Sequence, residues 1–223
     1  MYETSKSKAT WSDFEFSILK GSGIDIGCGP DPVFPDIRKF DFHDGDANNI
    51  TRFVSEKFDF VYSSHCLEHM DDTAHALNQW WQLVKPGGYL YFAVPDEDLY
   101  EQGLFPSIGN PTHRATFTIY KNKGESWSPV SRNVQELASA LPQGEVISID
   151  LQDTNYDRSL LRANRQRPGW LLHKLYILYL GLNYYLGPKW KGLDPWITQF
   201  HPIDQTMRPD TLAQIRCIVK KQT

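Results

Sequence analysis

The feature that most constrains the fold of this chain is a short apolar strand that runs directly into a glycine turn, GIDIGCGP at residues 23–30. Gly27 and Gly29 let the backbone turn sharply and approach a ligand that any side chain would exclude. The carboxyl end of a strand in an α/β domain is where such ligands bind. The turn is therefore predicted to be a platform for a cofactor.

The residues after the turn argue against a pyrophosphate ligand. A dinucleotide-binding fingerprint has a third glycine three residues after Gly29, where this chain has Pro32. Pro30, Pro32 and Pro35 also disfavour the helix whose N-terminus would bind the phosphates. An enzyme that binds a nicotinamide dinucleotide stays open as an alternative with this evidence against it.

Apolar runs separated by proline and glycine predict alternating strands and helices. Strands are predicted at residues 22–27, 37–42, 58–62, 89–94, 145–151 and 212–220. Helices are predicted at residues 11–20, 73–84 and 131–141, the last with Ser131 as its N-cap. This alternation predicts an α/β fold with helices on both faces of a mostly parallel sheet, and it allows the last strand to run antiparallel at an edge.

Residues 152–210 separate the last two predicted strands, which is far more than a hairpin needs. We expect a helical insertion there, within a single domain of residues 1–223. Within it, residues 170–186 (WLLHKLYILYLGLNYYL) are apolar nearly all round, but they are too short and too often interrupted for a membrane span.

Four interpretations of the segment 170–186 stay open. It could be a helix buried against its own domain, a lid, a homodimer element, or a site of peripheral membrane contact. The last is favoured by flanking basic residues, namely Arg162, Arg165, Arg167, Lys189 and Lys191. Membrane contact would place the protein at the inner face of a membrane.

Composition limits the class of partner and the compartment. The formal net charge of −4 provides no positive field for a phosphate backbone, so no nucleic-acid partner is expected. Cys28, Cys66 and Cys217 lack the spacing of a disulfide framework or a metal site, which indicates a reducing, cytoplasmic protein without a predicted metal ion.

Three segments resemble, in the same order, motifs of one enzyme superfamily. GIDIGCGP resembles the first motif of class I S-adenosylmethionine-dependent methyltransferases with a methyltransferase type 11-like domain. FDFVYSSHCLEHM (58–70) resembles the fourth-strand motif of these enzymes, and LVKPGGYLYFAVP (83–95) resembles the helix, turn and strand that follow it. The resemblance implies a Rossmann-like, mostly parallel sheet of seven strands with an antiparallel last strand. The short spacing between Gly29 and Asp46 implies that the early helices are shortened.

The same resemblance implies that the cofactor is S-adenosylmethionine and which residues bind it. Asp25, Gly27, Cys28 and Gly29 would line its methionine and ribose part. Asp41 would hold the ribose hydroxyls, and Asp46 with Ala47 would lie near the adenine. Ser64, just past a strand, would lie beside the reactive methyl group.

Three residues are candidates for acid–base chemistry. His65 could take a proton from an oxygen acceptor, because imidazole titrates near neutral pH and methyl transfer is an in-line displacement. Asp96 and His113 belong to an acidic and aromatic loop that could bind a polyhydroxy substrate, although the same composition describes any solvated loop. The resemblance gives Glu68 and His69 a structural role at the start of a helix.

The sequence thus predicts O-methylation of a sugar, a glycan or another small metabolite. A non-catalytic partner subunit that keeps the fold is the alternative from a different class, since fold analogy never establishes a substrate.

Overall fold

The computed structural model describes residues 3–122, 124–161, 166–186 and 192–223. Its strands are β1 (Gly23–Ile26), β2 (Arg38–Phe40), β3 (Phe58–Ser64), β4 (Val84–Pro95), β5 (Thr116–Thr118), β6 (Ser131–Asn133), β7 (Gly144–Gln152) and β8 (Gln214–Lys221). Its α-helices are α1 (Glu3–Lys8), α2 (Asp13–Ile18), α3 (Thr73–Gln82), α4 (Val134–Ser139), α5 (Trp170–Leu186) and α6 (Asp194–Ile197). Short 3₁₀ helices cover Ala47–Arg52, Leu67–His69, Arg158–Leu160 and Gln205–Met207.

The main sheet has the strand order β2-β1-β3-β4-β8-β7. Strands β2, β1, β3 and β4 are parallel, and β8 is antiparallel to both of its neighbours. The prediction of a mostly parallel sheet with an antiparallel last strand is confirmed. That last strand lies inside the sheet and not at an edge, because β7 pairs with its outer side.

The predicted count of seven strands is wrong for the part of the chain that the structure describes, where the main sheet has six. The stretch between β2 and β3 is a 3₁₀ helix, Ala47–Arg52, in place of a further strand. The carboxylate of Asp46 caps that helix by accepting a hydrogen bond from the backbone N–H of Asn48.

The early helices are shortened, as expected. Only turns and bends occur between β1 and β2, where three prolines interrupt the chain. The predicted helix at 131–141 begins later, since Ser131–Asn133 pairs with β5 and Asn133, not Ser131, caps α4. The predicted helix at 73–84 ends at Gln82, and residues 85–88 lie within β4.

Both faces of the sheet are covered, which is the usual condition of parallel strands. On one face Trp80 and Trp81 of α3 pack in a cluster with Phe92 of β4, and each of the three is at most 1% exposed. On the other face Ile18 of α2 packs with Tyr62 and other strand residues. The carboxyl ends of β1, β3 and β4 are thereby held rigidly side by side.

Helix α5 is mostly uncovered, so the interpretation that it is buried against its own chain is wrong for most of its surface. Leu171, Leu175 and Leu178 are 62%, 53% and 61% exposed, whereas Tyr176 and Tyr179 are buried. Among the described helices, none has both the length and the apolar character needed to cross a membrane. Of the flanking basic residues, Arg162, Arg165, Lys189 and Lys191 lie outside the described residues.

Candidate active site

The glycine turn after β1 has the conformation that its sequence indicates. Gly27 and Gly29 have φ angles of +75° and +52°, in the left-handed region that favours glycine. A Cβ atom at Gly27 would lie 2.5 Å from Sγ of Cys66, so a side chain there would displace the start of the turn that follows β3. The Gly27 N–H donates to the carbonyl of Phe40, 2.8 Å away, which joins the turn to β2.

Two predicted cofactor-binding carboxylates hold this turn in place. Asp25, in β1, accepts a 2.7 Å hydrogen bond from the N–H of Val33, and burial raises its pKa to about 7. Asp41, just after β2, accepts a 2.6 Å hydrogen bond from the N–H of Gly29. Asp25 is 1% exposed, so it supports the turn from inside the protein.

A cavity of about 670 Å³ opens beside the turn. Four of the predicted cofactor-binding residues line it, namely Gly27, Asp41, Asp46 and Ala47. Hydrogen bonds from the side-chain amides of Asn49 and Asn48 fix the Asp46 carboxylate and lower its pKa. The other four predicted residues, Asp25, Cys28, Gly29 and Ser64, are not among those that line the cavity.

Opposite the glycine turn, the wall of this cavity includes His69, which belongs to a cluster of imidazoles. His65 follows β3 with a φ angle of +53°, and its Nδ1 lies 3.6 Å from Oε1 of Glu68. Nε2 of His69 and Nε2 of His113 lie 4.0 and 3.9 Å from the same oxygen. The structure therefore brings two of the predicted catalytic residues, His65 and His113, to one carboxylate.

Each of these histidines is oriented by a partner on its other nitrogen. Nε2 of His65 is 2.8 Å from Oε1 of Gln214 in β8. Nδ1 of His113 is 2.6 Å from Oε1 of Glu101. Burial opposes protonation of His113, but the hydrogen bond to Glu101 and the charge of Glu68 outweigh it, so the pKa of His113 is raised.

Asp96, the third predicted catalytic residue, has hydrogen bonds that hold a turn of the backbone. It follows β4 and accepts 3.0 Å hydrogen bonds from the N–H groups of Asp98 and Leu99, so its carboxylate caps a turn. Burial raises its pKa to about 6. Within the described residues it makes no ion pair or hydrogen bond with His65 or His113.

The loop that was expected to bind a polyhydroxy substrate is split between two places. Glu97 and Asp98 both form ion pairs with Lys121, next to the β5–β6 pair. Tyr100 and Glu101 turn toward His113, where the Tyr100 ring stacks on the imidazole with 5.3 Å between ring centroids. Only the second group adjoins the imidazole cluster.

Glu68 is the residue of this cluster whose central position was not predicted from the sequence. It is completely buried, and neither of its carboxylate oxygens has a hydrogen-bond partner in the described part of the chain. The signal for it was the spacing His65-x-x-Glu68-His69, which the 3₁₀ helix Leu67–His69 folds into one turn. The place of His113 in this cluster had no local signal, because His113 lies 44 positions after His69 in the sequence.

A methyltransferase-domain family model matches residues 12–120 of the chain. No curated protein matches the sequence significantly. Among solved structures, a candidate sarcosine dimethylglycine methyltransferase from Galdieria sulphuraria has 10% identity and a TM-score of 0.51, and the alignment covers 98% of this chain and 84% of that one.

The YcgJ protein of Bacillus subtilis has 14% identity and a TM-score of 0.50, with complete coverage of both chains. At this identity, the two likenesses concern the fold alone. The matched domain contains the glycine turn, most of the cavity wall and the His65–His69 turn. The match thus shows a methyltransferase domain over residues 12–120.

Proposed function

We propose that this enzyme methylates an oxygen atom of a small polar acceptor, such as a sugar, a glycan or another small metabolite. The observation that carries the proposal is the imidazole cluster beside the cofactor cavity. An oxygen nucleophile must lose a proton during methyl transfer, and a positioned base speeds such a step by about 10²–10⁴-fold. His65 supplies that base next to the cavity wall formed by His69.

The hydrogen-bond pattern around His65 supports its role as the base. If Nε2 carries the proton, it donates a hydrogen bond to Oε1 of Gln214. Nδ1 then keeps its lone pair and faces Glu68. The buried Glu68 carboxylate would stabilise the imidazolium that forms when Nδ1 takes a proton. Gln214 is thus a positioning residue, which fixes the tautomer of His65.

A second, smaller cavity supports a small polar acceptor. It has a volume of about 250 Å³ and is lined in part by Tyr100, Glu101 and Asp204. Tyr100 and Glu101 both contact His113, so this cavity adjoins the imidazole cluster. Carboxylates and aromatic faces together suit a compound that carries several hydroxyl groups.

The residues of the larger cavity fit S-adenosylmethionine. The Cβ-free Gly27 forms a cradle that a side chain would fill, and Ala47 leaves room for a ring beside the fixed Asp46. The bound cofactor supplies an electrophilic methyl group on a sulfonium. The loop after Gly29 offers no helix N-terminus within the described residues, which speaks against a pyrophosphate-containing dinucleotide.

Cofactor binding is tested by calorimetric titration of the protein with S-adenosylmethionine and, separately, with NAD. Gly27→Ala should abolish binding of the methyl donor, because its Cβ would meet the side chain of Cys66. Gly181→Ala is the matched control, since a Cβ at that helical glycine meets nothing within 4 Å. Binding of NAD in preference to the methyl donor would contradict the assignment.

The acceptor is identified by incubating the enzyme with ¹³C-methyl-labelled cofactor and mixtures of sugars, glycans and small metabolites. The carbon chemical shift of the product distinguishes a methyl group on oxygen from one on nitrogen or carbon. His65→Asn should lower kcat by about 10²–10⁴-fold with cofactor affinity unchanged, since asparagine tolerates the positive φ at that position.

His75→Asn serves as the control for His65→Asn, because His75 is an exposed histidine of α3 whose imidazole bonds to Asn49, away from the imidazole cluster. Transfer to nitrogen, or undiminished turnover in His65→Asn, would overturn the proposal. Tight cofactor binding without transfer to any acceptor would favour a non-catalytic partner subunit.

A further inference from the structure

The unexplained feature of the imidazole cluster is the carboxylate at its centre. Glu68 is fully buried, and neither oxygen accepts a hydrogen bond from any described residue. Leaving a buried carboxylate without partners is strongly unfavourable, so such a group normally has a cation or a proton of its own. The surroundings of Glu68 therefore need to supply one.

The nitrogens around Glu68 are spaced for a shared ion and not for direct hydrogen bonds. His113 Nε2 and His69 Nε2 lie 3.9 and 4.0 Å from Oε1 of Glu68, beyond hydrogen-bonding distance. One ligand atom each from Glu68, His69 and His113 lies within 4.8 Å of the other two. Ligands of a four-coordinate ion with bonds of about 2.1 Å are roughly 3.4 Å apart, so a small contraction closes the site.

The opposite nitrogens of the two rings are held as in metal-binding histidines. A histidine that binds a metal through one nitrogen usually donates the other N–H to a carboxylate or a carbonyl. Nδ1 of His113 lies 2.6 Å from Oε1 of Glu101, and Nδ1 of His69 lies 3.3 Å from the carbonyl oxygen of Thr112. If Nδ1 carries the proton in each ring, the nitrogen left to bind an ion is Nε2, which in both rings lies on the side of Glu68.

We propose that Glu68, His69 and His113 bind a divalent first-row transition-metal ion. Two imidazoles and one carboxylate are ligands of borderline character, which suit Mn²⁺, Fe²⁺, Co²⁺ or Zn²⁺ better than Mg²⁺ or Ca²⁺. Three protein ligands leave at least one coordination position open to a water molecule or a substrate. His69 lines the cofactor cavity, so the proposed ion site lies at the wall of that cavity.

The role of the ion rests on the proposed function. An acceptor hydroxyl bound to it would become more acidic and would lose its proton more readily. As the new carbon–oxygen bond forms, the bond between the methyl carbon and the sulfonium sulfur would break, and its electron pair would stay on sulfur. The products would be the methylated acceptor, the neutral thioether and the proton released by the hydroxyl.

Metal binding is measured without any acceptor. The purified enzyme is stripped with a chelator, exchanged into chelator-free buffer and titrated with Co²⁺, whose visible absorption reports nitrogen and oxygen coordination. We expect saturation at one ion per chain, and competition by Zn²⁺ but not by Mg²⁺. Glu68→Gln and His113→Ala should lose the saturable absorption, whereas His75→Ala should keep it.

The role of Glu101 in positioning the His113 ring is tested with Glu101→Gln. Weakening the partner of Nδ1 in His113 should lower Co²⁺ affinity by about 10–100-fold while the stoichiometry stays the same. If a ligand variant does not fold, the wild-type Co²⁺ protein decides the question. Its NMR spectrum should contain exchangeable, paramagnetically shifted ring N–H signals from two histidines.

The absence of saturable Co²⁺ binding by wild type, or equal binding by Glu68→Gln and His113→Ala, would overturn the metal site. Equal loss in His75→Ala would do the same. Titration of the metal-free protein with S-adenosylmethionine separates this result from the proposed function, because cofactor binding depends on Gly27 and not on the ion. O-methylation that continues unchanged after metal removal would overturn the catalytic role of the ion alone.

Discussion

Three aspartates in and after strands β1 and β2 fix the chain near the cofactor cavity by accepting hydrogen bonds from backbone N–H groups. Asp25 bonds to Val33, Asp41 to Gly29, and Asp46 to Asn48. A loop without a helix needs such bonds, because its N–H groups have no regular partners. The positions of these residues around the cavity could be predicted from the motifs, but their bonding partners depend on the path of the loop and could not.

Asp25 should make the stability of the free enzyme depend on pH. Its pKa is 3.8 in the unfolded chain and about 7 in the folded protein because it is buried, so the folded state binds more protons in between. The free energy of unfolding should therefore fall as pH rises from about 4 to about 7, by up to about 4 kcal/mol. Urea unfolding of wild type and Asp25→Asn across this window measures the effect, and Asp25→Asn should flatten the slope.

Asp59→Asn is the control for that pH dependence. Hydrogen bonds from Lys85 and Ser22 lower the pKa of Asp59 to about 2, so its contribution to stability is lost only as pH falls from 3.8 toward that value. This variant should keep the wild-type slope above pH 3.8. Asp96, whose pKa is raised to about 6, should leave a smaller slope of the same sign in Asp25→Asn. A slope in Asp25→Asn as steep as that of wild type would mean that Asp25 is already ionised in the folded enzyme.

At the scale of elements, Glu97 ties the end of β4 to the β5–β6 pair. Its two oxygens accept hydrogen bonds from the hydroxyls of Thr116, Ser126 and Ser131, and it forms an ion pair with Lys121 at 2.8 Å. A carboxylate with so many buried partners holds elements together and is not free for a substrate. In the loop after β4, Glu97 and Asp98 thus join elements of the fold, whereas Tyr100 and Glu101 adjoin the imidazole cluster.

Removing Glu97 should destabilise the enzyme strongly. Glu97→Ala leaves buried hydroxyls and the Lys121 ammonium without their acceptor, and we expect the free energy of unfolding to fall by about 3–5 kcal/mol. Asp98→Ala should cost about 1 kcal/mol or less, because the Asp98 side chain is 45% exposed where it meets Lys121. Chemical denaturation measures both, and equal losses would mean that Glu97 is not the residue that joins these elements.

The elements that the sequence predicted best are those with a strong local pattern. Strands β3, β4 and β8 each contain a run of apolar residues, and α3 has an apolar face with Asp72 as its cap. The Ala47–Arg52 helix and the short β6 strand were missed, because a few residues carry no usable period. The site follows the same rule, since His65 and the glycines had local motifs whereas the meeting of His113 with Glu68 is a tertiary contact.

At the scale of the whole molecule, α5 presents a line of uncovered leucines. Leu171, Leu175, Leu178 and Leu182 follow one another at alternating spacings of four and three residues, and they are 62%, 53%, 61% and 38% exposed. This is the spacing of a coiled-coil seam, and a contiguous apolar surface of this kind is uncommon on a monomer. The opposite face of the helix packs through Tyr176 and Tyr179 on its own chain.

We therefore expect two copies of the chain to associate through α5. Sedimentation velocity should give a dimer for wild type and a monomer for Leu175→Glu combined with Leu178→Glu, because charged side chains cannot be buried in the seam. Tyr120→Glu is the control, since it places the same charge at an apolar residue that is 75% exposed elsewhere. A monomeric wild type that co-floats with lipid vesicles would show instead that the leucine line meets a membrane surface, and the same double variant should then release the enzyme from the vesicles.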